Sequence, residues 1–342
     1  MPRGIPTLIT ILLLAGALAV SAWYLNRGSA QTTPAIVTSR PVPAGDWPPL
    51  RVMTANVRLD QTADGDNGWV KRREFLVKTL LKYQPEILGT QELSPAQGAY
   101  LTKELSQWYS YYPRAGVGPA ATSTQTRSAV SELLTAMSES LASLDTIYYR
   151  TDRFDILDGE AGLVLPREPQ TNASENTFFS MAVLKEKRAA GKPPATIIVV
   201  DIHFRHDEAF AIRCAKEMRR KLDAWSGKYP GAGIILMGDI NRGRGTQLYA
   251  TLTAADPATG APAPLADTFD YSKLDPKVLN GTYMQFAGKP NATWPTDLIF
   301  AGGALTEVHS AEILRDHTSE GRYPSDHYFV QTELQFPAKQ NP

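Results

Sequence analysis

The sequence predicts an α/β or mixed α+β fold over residues 50–337. Short apolar runs alternate with amphipathic stretches along this region, which is typical of strands interleaved with helices. Of the 342 residues, 43% are hydrophobic and 20% are charged, as in an average soluble globular protein. Polar residues directly follow several of the apolar runs, and open sheets bind ligands at such strand ends. The length suits one large domain with loop insertions and an N-terminal appendage.

Apolar runs rich in β-branched residues predict the strands, and capping residues bound the helices. The predicted strands are Val52–Ala55, Ile87–Gly89, Thr196–Ile202, Ile234–Met237, Leu298–Phe300 and Tyr328–Leu334. A helix is predicted over Lys71–Tyr83, and Ser94-Pro95-Ala96-Gln97 has the pattern of a capping box that opens the next helix. Asp207 is expected to cap a third helix, which Gly227 is expected to end. Residues 122–144 are rich in Ser and Thr, with a helix predicted near Ser131–Leu141.

The N-terminus has the composition of a membrane-targeting segment. No residue between Arg3 and Arg27 is charged, and Leu8–Val20 is almost continuously apolar. The uncharged run slightly exceeds the roughly 20 residues that span a bilayer, and small-residue cleavage sites follow it. Residues 1–27 are therefore either a signal peptide or a membrane anchor, and residues 28–49 are a flexible linker. We expect an extracytoplasmic domain that is anchored or secreted, which means periplasmic in a bacterium.

Charge and cysteine content narrow the classes of function. Lys and Arg number 35, as do Asp and Glu, so the formal net charge is zero. Avid binding that coats DNA or RNA usually needs an excess of basic residues, although a local patch can still hold one phosphate. The single cysteine, Cys214, excludes an intrachain disulfide and fits a small buried side chain.

Polar side chains stand at the ends of the predicted strands. Asn56, Glu92, His203 and Asp239 each follow an apolar run within a few residues. Loops at strand ends bring together residues that are distant in sequence. Together these groups supply the hard oxygen ligands, imidazoles and carboxylates needed to bind Mg²⁺ or Mn²⁺ and to move protons near a phosphate.

In this order the motifs resemble those of the endonuclease/exonuclease/phosphatase superfamily, over nearly all of residues 51–335. The motifs are Thr54-Ala55-Asn56-Val57, Gly89-Thr90-Gln91-Glu92, Asp201-Ile202-His203-Phe204, Gly238-Asp239-Ile240-Asn241, Thr296-Asp297-Leu298-Ile299-Phe300 and Ser325-Asp326-His327. The resemblance implies a four-layer sandwich, in which two mixed β-sheets pack face to face with helices outside. It also implies a site at one rim of the sandwich.

The same resemblance assigns a role to each matching residue. The implied metal ligands are Glu92, as the main ligand, with Asn56 and Asp326. The implied catalytic residues are His203, Asp239, Asn241, Asp297 and His327. Asp239, with Asn241 beside it, would position and deprotonate the attacking water. His327, oriented by Asp297, and His203 would contact the phosphate and stabilise the charge that develops on it.

The chain departs from the family pattern at several positions. Pro295 stands where the family often has a basic residue, so any phosphate contact from that position is lost. Arg205 stands where many bacterial relatives carry Asp, which leaves the role of His206 open. Asp145 is the best candidate for an acidic partner before Tyr148-Tyr149-Arg150.

Arg242 and Arg244 follow Asn241 closely and are predicted to bind the substrate phosphate, with a solvated loop as the alternative. The leading hypothesis is Mg²⁺- or Mn²⁺-dependent hydrolysis of phosphate esters, as a phosphodiesterase or phosphatase, with a nuclease as the alternative within the enzyme class. A catalytically silent binding or scaffold module on the same fold is the second hypothesis. The substrate would be lipid-linked, a small molecule or nucleic acid, and the protein a monomer held at a membrane through its N-terminal segment.

Overall fold

A computed structural model of the protein shows two six-stranded mixed sheets that pack face to face. It describes residues 49–113, 144–165, 177–187, 195–255, 265–270, 273, 277 and 279–336. The strands are β1 (Leu50–Asn56), β2 (Ile87–Leu93), β3 (Tyr109–Tyr112), β4 (Leu144–Arg150), β5 (Phe154–Leu163), β6 (Phe178–Glu186), β7 (Thr196–Ile202), β8 (Gly233–Asp239), β9 (Leu265–Asp267), β10 (Asp297–Gly303), β11 (Glu307–Leu314) and β12 (Phe329–Gln335). The helices are α1 (Trp69–Tyr83), α2 (Pro95–Leu105), α3 (Glu208–Lys228) and α4 (Gln247–Thr253), with a 3₁₀ turn at Thr62–Asn67. The fold class predicted from the sequence is confirmed.

Some predicted segments lie outside the described residues. They are the signal peptide or anchor at 1–27, nearly all of the linker at 28–49, and the predicted helix near 131–141. Among the residues that the structure describes, no helix combines the length and the apolar character needed to cross a membrane.

The topology brings the important strand ends to one edge of each sheet. The first sheet has the order β11-β12-β1-β2-β4-β3, and the second has the order β5-β6-β7-β8-β10-β9. β1 and β2 run parallel, as do β7 and β8, whereas β12 pairs antiparallel with β1 and β10 pairs antiparallel with β8. The carboxyl ends of β1, β2, β7 and β8 therefore lie beside the amino ends of β12 and β10.

Alternate residues of the central strands face opposite layers. Val52 of β1 and Ile87 of β2 belong to the large core between the sheets. Their neighbours Met53 and Leu88 belong to a second core, which the first sheet shares with residues of α1 and α2. Both faces of these strands are buried, which explains why they appear in the sequence as continuous apolar runs rather than as alternating ones.

The predicted helix boundaries need two corrections, because α1 begins at Trp69 rather than at Lys71 and α3 ends later than predicted. α1 ends before Gln84, which adopts a left-handed conformation (φ 46°), and Ser94 and Gln97 form the predicted capping box of α2. Asp207 caps α3 by accepting a hydrogen bond from the Phe210 amide. The prediction that Gly227 ends α3 is wrong, because the helix continues to Lys228. The Tyr229 amide still bonds to the Trp225 carbonyl, and it is Pro230 that prevents a further turn.

Candidate active site

The sequence-predicted residues converge where the two sheets meet. Asn56 and Glu92 lie at the ends of β1 and β2 in the first sheet, whereas Asp239 ends β8 in the second sheet. Asp297 begins β10 and pairs directly with Asp239 across the antiparallel ladder. The first sheet thus supplies the residues implied as metal ligands, and the second supplies most of those implied in proton transfer.

The Asn56 amide group bridges the sheets. Its Nδ2 donates to Glu92 Oε1 at 2.9 Å and to Asp239 Oδ2 at 3.1 Å. Its Oδ1 accepts from the backbone amide of Arg58 at 3.0 Å. Because one amide nitrogen serves both carboxylates, Glu92 and Asp239 face the same small volume from opposite sheets.

Three site residues adopt backbone conformations that non-glycine residues rarely take. Arg58, Glu92 and Asn241 have φ values of 60°, 61° and 56°. Such left-handed residues are strained, and they persist only where surrounding contacts hold them. Glu92 is held because its Oε2 accepts from the Leu59 amide at 3.0 Å. Burial alone would raise the pKa of Glu92, but the charge of His203 and the Leu59 amide lower it below its ordinary value.

Asp297 orients His327 and stabilises its charge. His327 Nδ1 lies 2.8 Å from Asp297 Oδ2, and His327 Nε2 lies 3.9 Å from Asp239 Oδ2. Burial opposes protonation, yet the carboxylates of Asp297 and Asp239 raise the pKa of His327 to about 10. His327 is therefore an imidazolium at neutral pH, with its Nε2 facing the carboxylate of Asp239.

His203 has the opposite electrostatic character. Its backbone amide donates to Asp145 Oδ2 at 3.1 Å, and its Nε2 lies 2.9 Å from Asn241 Nδ2 and 3.4 Å from Asp239 Oδ2. Burial lowers the pKa of His203, which favours the neutral ring. Asp145, the sequence's candidate for an acidic partner, therefore contacts the main chain of His203, and burial raises the pKa of Asp145 well above the ordinary value. Its role as that partner stays a prediction.

Asn241 fixes the carboxylate of Asp239. Its backbone amide donates to Asp239 Oδ1 at 2.9 Å, and its Nδ2 donates to the Phe204 carbonyl at 2.7 Å. Burial and the neighbouring Asp297 raise the pKa of Asp239, so this carboxylate has a stronger affinity for a proton than an exposed one.

Arg58 belongs to the site but is missing from the sequence-predicted set. Its Nη1 lies 3.5 Å from Asp326 Oδ2, and its Nη2 pairs with Asp64 Oδ1 at 2.9 Å. The loop that carries Asp326 is tied to β1, because Ser325 Oγ donates to the Asn56 carbonyl at 2.7 Å. The sequence signal was a basic residue two positions after Asn56, which gains meaning only once Asp326 lies beside it.

The two arginines predicted to bind substrate lie on the loop after Asn241. Arg242 donates from Nη1 to the Asn241 carbonyl at 2.9 Å and from Nη2 to the His206 carbonyl at 2.5 Å. It thereby holds the loop after β8 to the loop after β7. Arg244 is exposed further along the same loop, and His206 is also exposed. Their roles as substrate ligands stay predictions.

The donor set fits a hard divalent cation. Glu92, Asp239 and Asp326 are carboxylates that are mostly shielded from water, which is the oxygen chemistry that Mg²⁺ and Mn²⁺ prefer. Asn56 turns its amide nitrogen toward Glu92 and Asp239 and its oxygen toward the Arg58 amide, so in this structure it positions the carboxylates. Possible ligand atoms of Asp239, Asp297 and His327 also lie within 4.8 Å of one another. His327 Nδ1 is already hydrogen-bonded to Asp297, so we interpret that second group as an oriented imidazole rather than as the ligand set.

An aromatic ring that the sequence did not single out covers His327. Tyr283 forms a β-bridge with His327, and their rings lie 4.9 Å apart. Tyr283 is partly exposed, whereas His327 is buried. Gly281-Thr282 precedes this tyrosine, and Thr282 Oγ1 accepts from the Asp297 amide at 3.1 Å.

The same architecture occurs in solved structures. An endonuclease/exonuclease/phosphatase family protein from Bacteroides thetaiotaomicron has 23% identity and a TM-score of 0.64, over 85% of this chain and 98% of that chain. A mannosyl-6-phosphatase from Bacteroides thetaiotaomicron VPI-5482 has 23% identity and a TM-score of 0.63, over 84% of this chain and 100% of that chain. The human Nocturnin catalytic domain, with a bound sulfate anion, has 18% identity and a TM-score of 0.58, over 85% and 95% of the two chains.

No curated protein sequence matches the chain significantly. A sequence model of the Endonuclease/Exonuclease/phosphatase family, in contrast, matches residues 53–327, which include every residue of the site. The motifs, the two-sheet architecture and this match agree, and the chain belongs to the endonuclease/exonuclease/phosphatase family.

Proposed function

We propose that this protein hydrolyses phosphate esters with the help of Mg²⁺ or Mn²⁺, by attack of water on phosphorus. The observation that carries the proposal is the convergence of Asn56, Glu92 and Asp239, where one amide nitrogen bridges the half-buried carboxylate of Glu92 and the buried carboxylate of Asp239 from different sheets. Glu92 and Asp326 would hold the cation, and Asn56 would join them through Oδ1 by turning its amide away from the Arg58 amide. When bound, the cation would neutralise a phosphate oxygen and so lower the barrier to nucleophilic attack.

The remaining residues divide the work of proton transfer and charge stabilisation. Asp239 Oδ2 would accept the proton of the attacking water, since burial and Asp297 raise the pKa of Asp239. His327, which Asp297 holds as an imidazolium, would stabilise the anionic phosphate. His203 would act as a neutral hydrogen-bonding group beside the same phosphate, with Arg242 and Arg244 at the rim.

Two of the similar structures support a phosphate ester as substrate. One is a mannosyl-6-phosphatase, and the other holds sulfate, which resembles phosphate in shape and charge. The formal net charge of zero favours a small or lipid-linked ester over duplex DNA. Hydrolysis of a sugar phosphate, a phosphoinositide, sphingomyelin, a nucleotide, RNA and DNA at matched salt would identify the class.

Asp239→Asn tests the proposal. The full-length protein should hydrolyse at least one ester of that panel with Mn²⁺ and stop when EDTA is added. The variant keeps the shape of the side chain but removes the proton acceptor, so kcat should fall by about 10²–10⁴-fold. Asp155→Asn, at an exposed acid of β5, is the matched control and should retain full activity. Full turnover in Asp239→Asn, or turnover that EDTA leaves unchanged, would refute the assignment.

We further propose that the domain works outside the cytoplasm as a monomer, tethered or exported through Leu8–Val20. The support is the uncharged, apolar character of that segment. Fractionation of cells expressing the full chain, with N-terminal sequencing, separates an anchor from a cleaved signal peptide. Recovery of an uncleaved chain in the cytosol would contradict both forms.

A further inference from the structure

The largest fully buried side chain of the described residues is a cation, Arg72 of α1. Buried charges are normally paired with an opposite charge, because an isolated one loses its hydration. Among the residues that the structure describes, no carboxylate forms an ion pair with Arg72. The nearest acids include Asp326 and Asp64, and both are engaged by Arg58 instead.

Four hydrogen bonds to backbone carbonyls satisfy the guanidinium of Arg72. Nη1 donates to the carbonyls of Val57 at 2.5 Å and Pro324 at 3.0 Å. Nη2 donates to the carbonyl of Arg58 at 2.6 Å, and Nε donates to that of Asn67 at 3.0 Å. The planar fork of five donors is the feature of arginine that allows such a set, and no other side chain offers it.

These carbonyls belong to the two loops that frame the candidate metal site. Val57 directly follows Asn56, and Pro324 stands two residues before Asp326. The guanidinium also packs against two aromatic rings, with its Cζ 5.3 Å from the ring centroid of Trp69 and 5.8 Å from that of Phe286. Main-chain carbonyls therefore hold the edge of the guanidinium, and two aromatic rings pack against it.

We propose that Arg72 is a positioning residue that fixes the distance between the Asn56 loop and the Asp326 loop, and thereby the geometry of the cation site. The inference rests on the proposed function for its consequence, although the cross-link itself does not depend on it. Arg72 is fully buried, and four of its five guanidinium donors are occupied by main chain, so we assign it a supporting role rather than contact with the substrate. Lysine would keep the positive charge but lose the planar guanidinium and its hydrogen bonds to both loops. If the site needs only a buried positive charge, it should tolerate Arg72→Lys. If it needs the cross-link between the loops, it should not.

Arg72→Lys is tested against Arg51→Lys in the full-length protein. Arg51 is the matched control, since it also bonds through its guanidinium, to Glu86 and to the Tyr83 carbonyl, but at the opposite end of β1. Titration calorimetry with Mn²⁺ should show Kd raised about 10–100-fold in Arg72→Lys, as when a group that supports metal ligands is lost. Arg51→Lys should bind Mn²⁺ within about twofold of the unchanged protein, at the resolution of such differences.

Amide hydrogen exchange supplies a readout that needs neither metal nor turnover. The amides of Arg58, Leu59 and His327 bond to Asn56 Oδ1, Glu92 Oε2 and Ser325 Oγ. In Arg72→Lys these amides should exchange at least about tenfold faster, while those of β7 should not change. If the variant does not fold, Phe286→Leu, which removes one ring from the guanidinium, should show the same pattern at smaller amplitude.

The outcomes separate this inference from the proposed function. Unchanged Mn²⁺ affinity and unchanged exchange in Arg72→Lys, or in Phe286→Leu where that variant decides, would overturn the positioning role. An equal loss of Mn²⁺ affinity in Arg51→Lys would also overturn the positioning role of Arg72, because the effect would then reflect a general weakening of β1. If the unchanged protein neither binds Mn²⁺ nor hydrolyses any ester, the proposed function fails. Accelerated exchange in both loops would then still support the cross-link.

Discussion

At the scale of single residues, the two histidines of the site are made different by their neighbours. His327 has a carboxylate on Nδ1 and another facing Nε2, whereas the buried Nδ1 of His203 has no hydrogen-bond partner among the described residues. Carboxylates raise the pKa of His327 to about 10, while burial lowers that of His203. The site therefore presents one charged and one neutral imidazole at the same pH, which suits anion stabilisation beside proton transfer.

Asp297→Asn tests this division at the residue that creates it. The amide keeps the size of the side chain but neither holds the imidazolium nor fixes its orientation. We expect kcat to fall by about 10²–10⁴-fold, as for other buried carboxylates behind a catalytic histidine. Asp316→Asn is the control. Asp316 forms an ion pair with Lys82 of α1, and its replacement should leave kcat unchanged. Equal kcat in both variants would mean that His327 needs no carboxylate.

At the scale of elements, α2 supports the site through its capping box. Gln97 Oε1 accepts from the amides of Ser94 and Asp60, both at 3.1 Å, and its Nε2 donates to the Arg58 carbonyl at 2.8 Å. The same glutamine thus caps the helix and holds the loop after Asn56. The other half of the capping box is Ser94 Oγ, which accepts from the Gln97 amide at the start of the helix.

Ser94→Ala and Gln97→Ala should therefore differ in activity. Loss of the serine cap should lower the free energy of unfolding by about 1 kcal/mol and leave kcat/KM unchanged. Loss of the glutamine should cost at least as much stability and also lower kcat/KM, because the Arg58 loop is released. Urea unfolding and steady-state kinetics on one preparation measure both effects. Unchanged kcat/KM in Gln97→Ala would contradict the link between α2 and the site.

The junction of β7 and β8 demands glycine immediately before Asp239. Gly238 has φ 147°, and a Cβ there would lie 1.8 Å from the Ile202 carbonyl oxygen. Gly238→Ala should thus push the two strands apart and lower the free energy of unfolding by more than about 3 kcal/mol. Gly231→Ala is the control, because Gly231 also has a positive φ (76°) but no atom near a Cβ, and it should cost about 1 kcal/mol. If urea unfolding shows similar losses of free energy of unfolding in Gly238→Ala and Gly231→Ala, the packing argument is contradicted.

At the scale of the whole molecule, the sequence predicted six strands at and beside the centres of the sheets, and it missed the edge strands and the neighbouring β4 and β6. β7 and β8 are fully buried apolar runs, whereas β5 is an edge strand whose sequence includes Asp158, Gly159 and Glu160. β6 contains Met, Ala, Leu, Lys and Glu, which suit a helix equally well, so periodicity alone does not identify it.

The residues of the site were predictable because their strands end at a common edge, but their supports were not. Asn56 and Asp239 each follow an apolar run, and the parallel pairs bring such ends together. Arg58 and Arg72, in contrast, acquire their roles from contacts with Asp326 and Pro324 near the other end of the chain. In the sequence Arg58 is an ordinary arginine on a loop. Arg72 or Arg73, after Asn67-Gly68-Trp69, agrees with the family resemblance, but nothing local signals the long-range partner of Arg72.

A cation bound by Glu92, Asn56 and Asp326 should stabilise the whole fold, because these residues from the ends of β1 and β2 and the loop before β12 are assembled only in the folded state. At a Mn²⁺ concentration of about 100 times Kd, binding should add about 2.7 kcal/mol to the free energy of unfolding. Glu92→Gln removes the central carboxylate of the proposed set while preserving its shape, so Mn²⁺ should stabilise this variant far less. Thermal unfolding of both proteins, with and without Mn²⁺ and then with excess EDTA, measures the difference. An equal increment in Glu92→Gln would place the cation elsewhere, and the absence of any increment in the unchanged protein would argue against a metal site at the junction of the sheets.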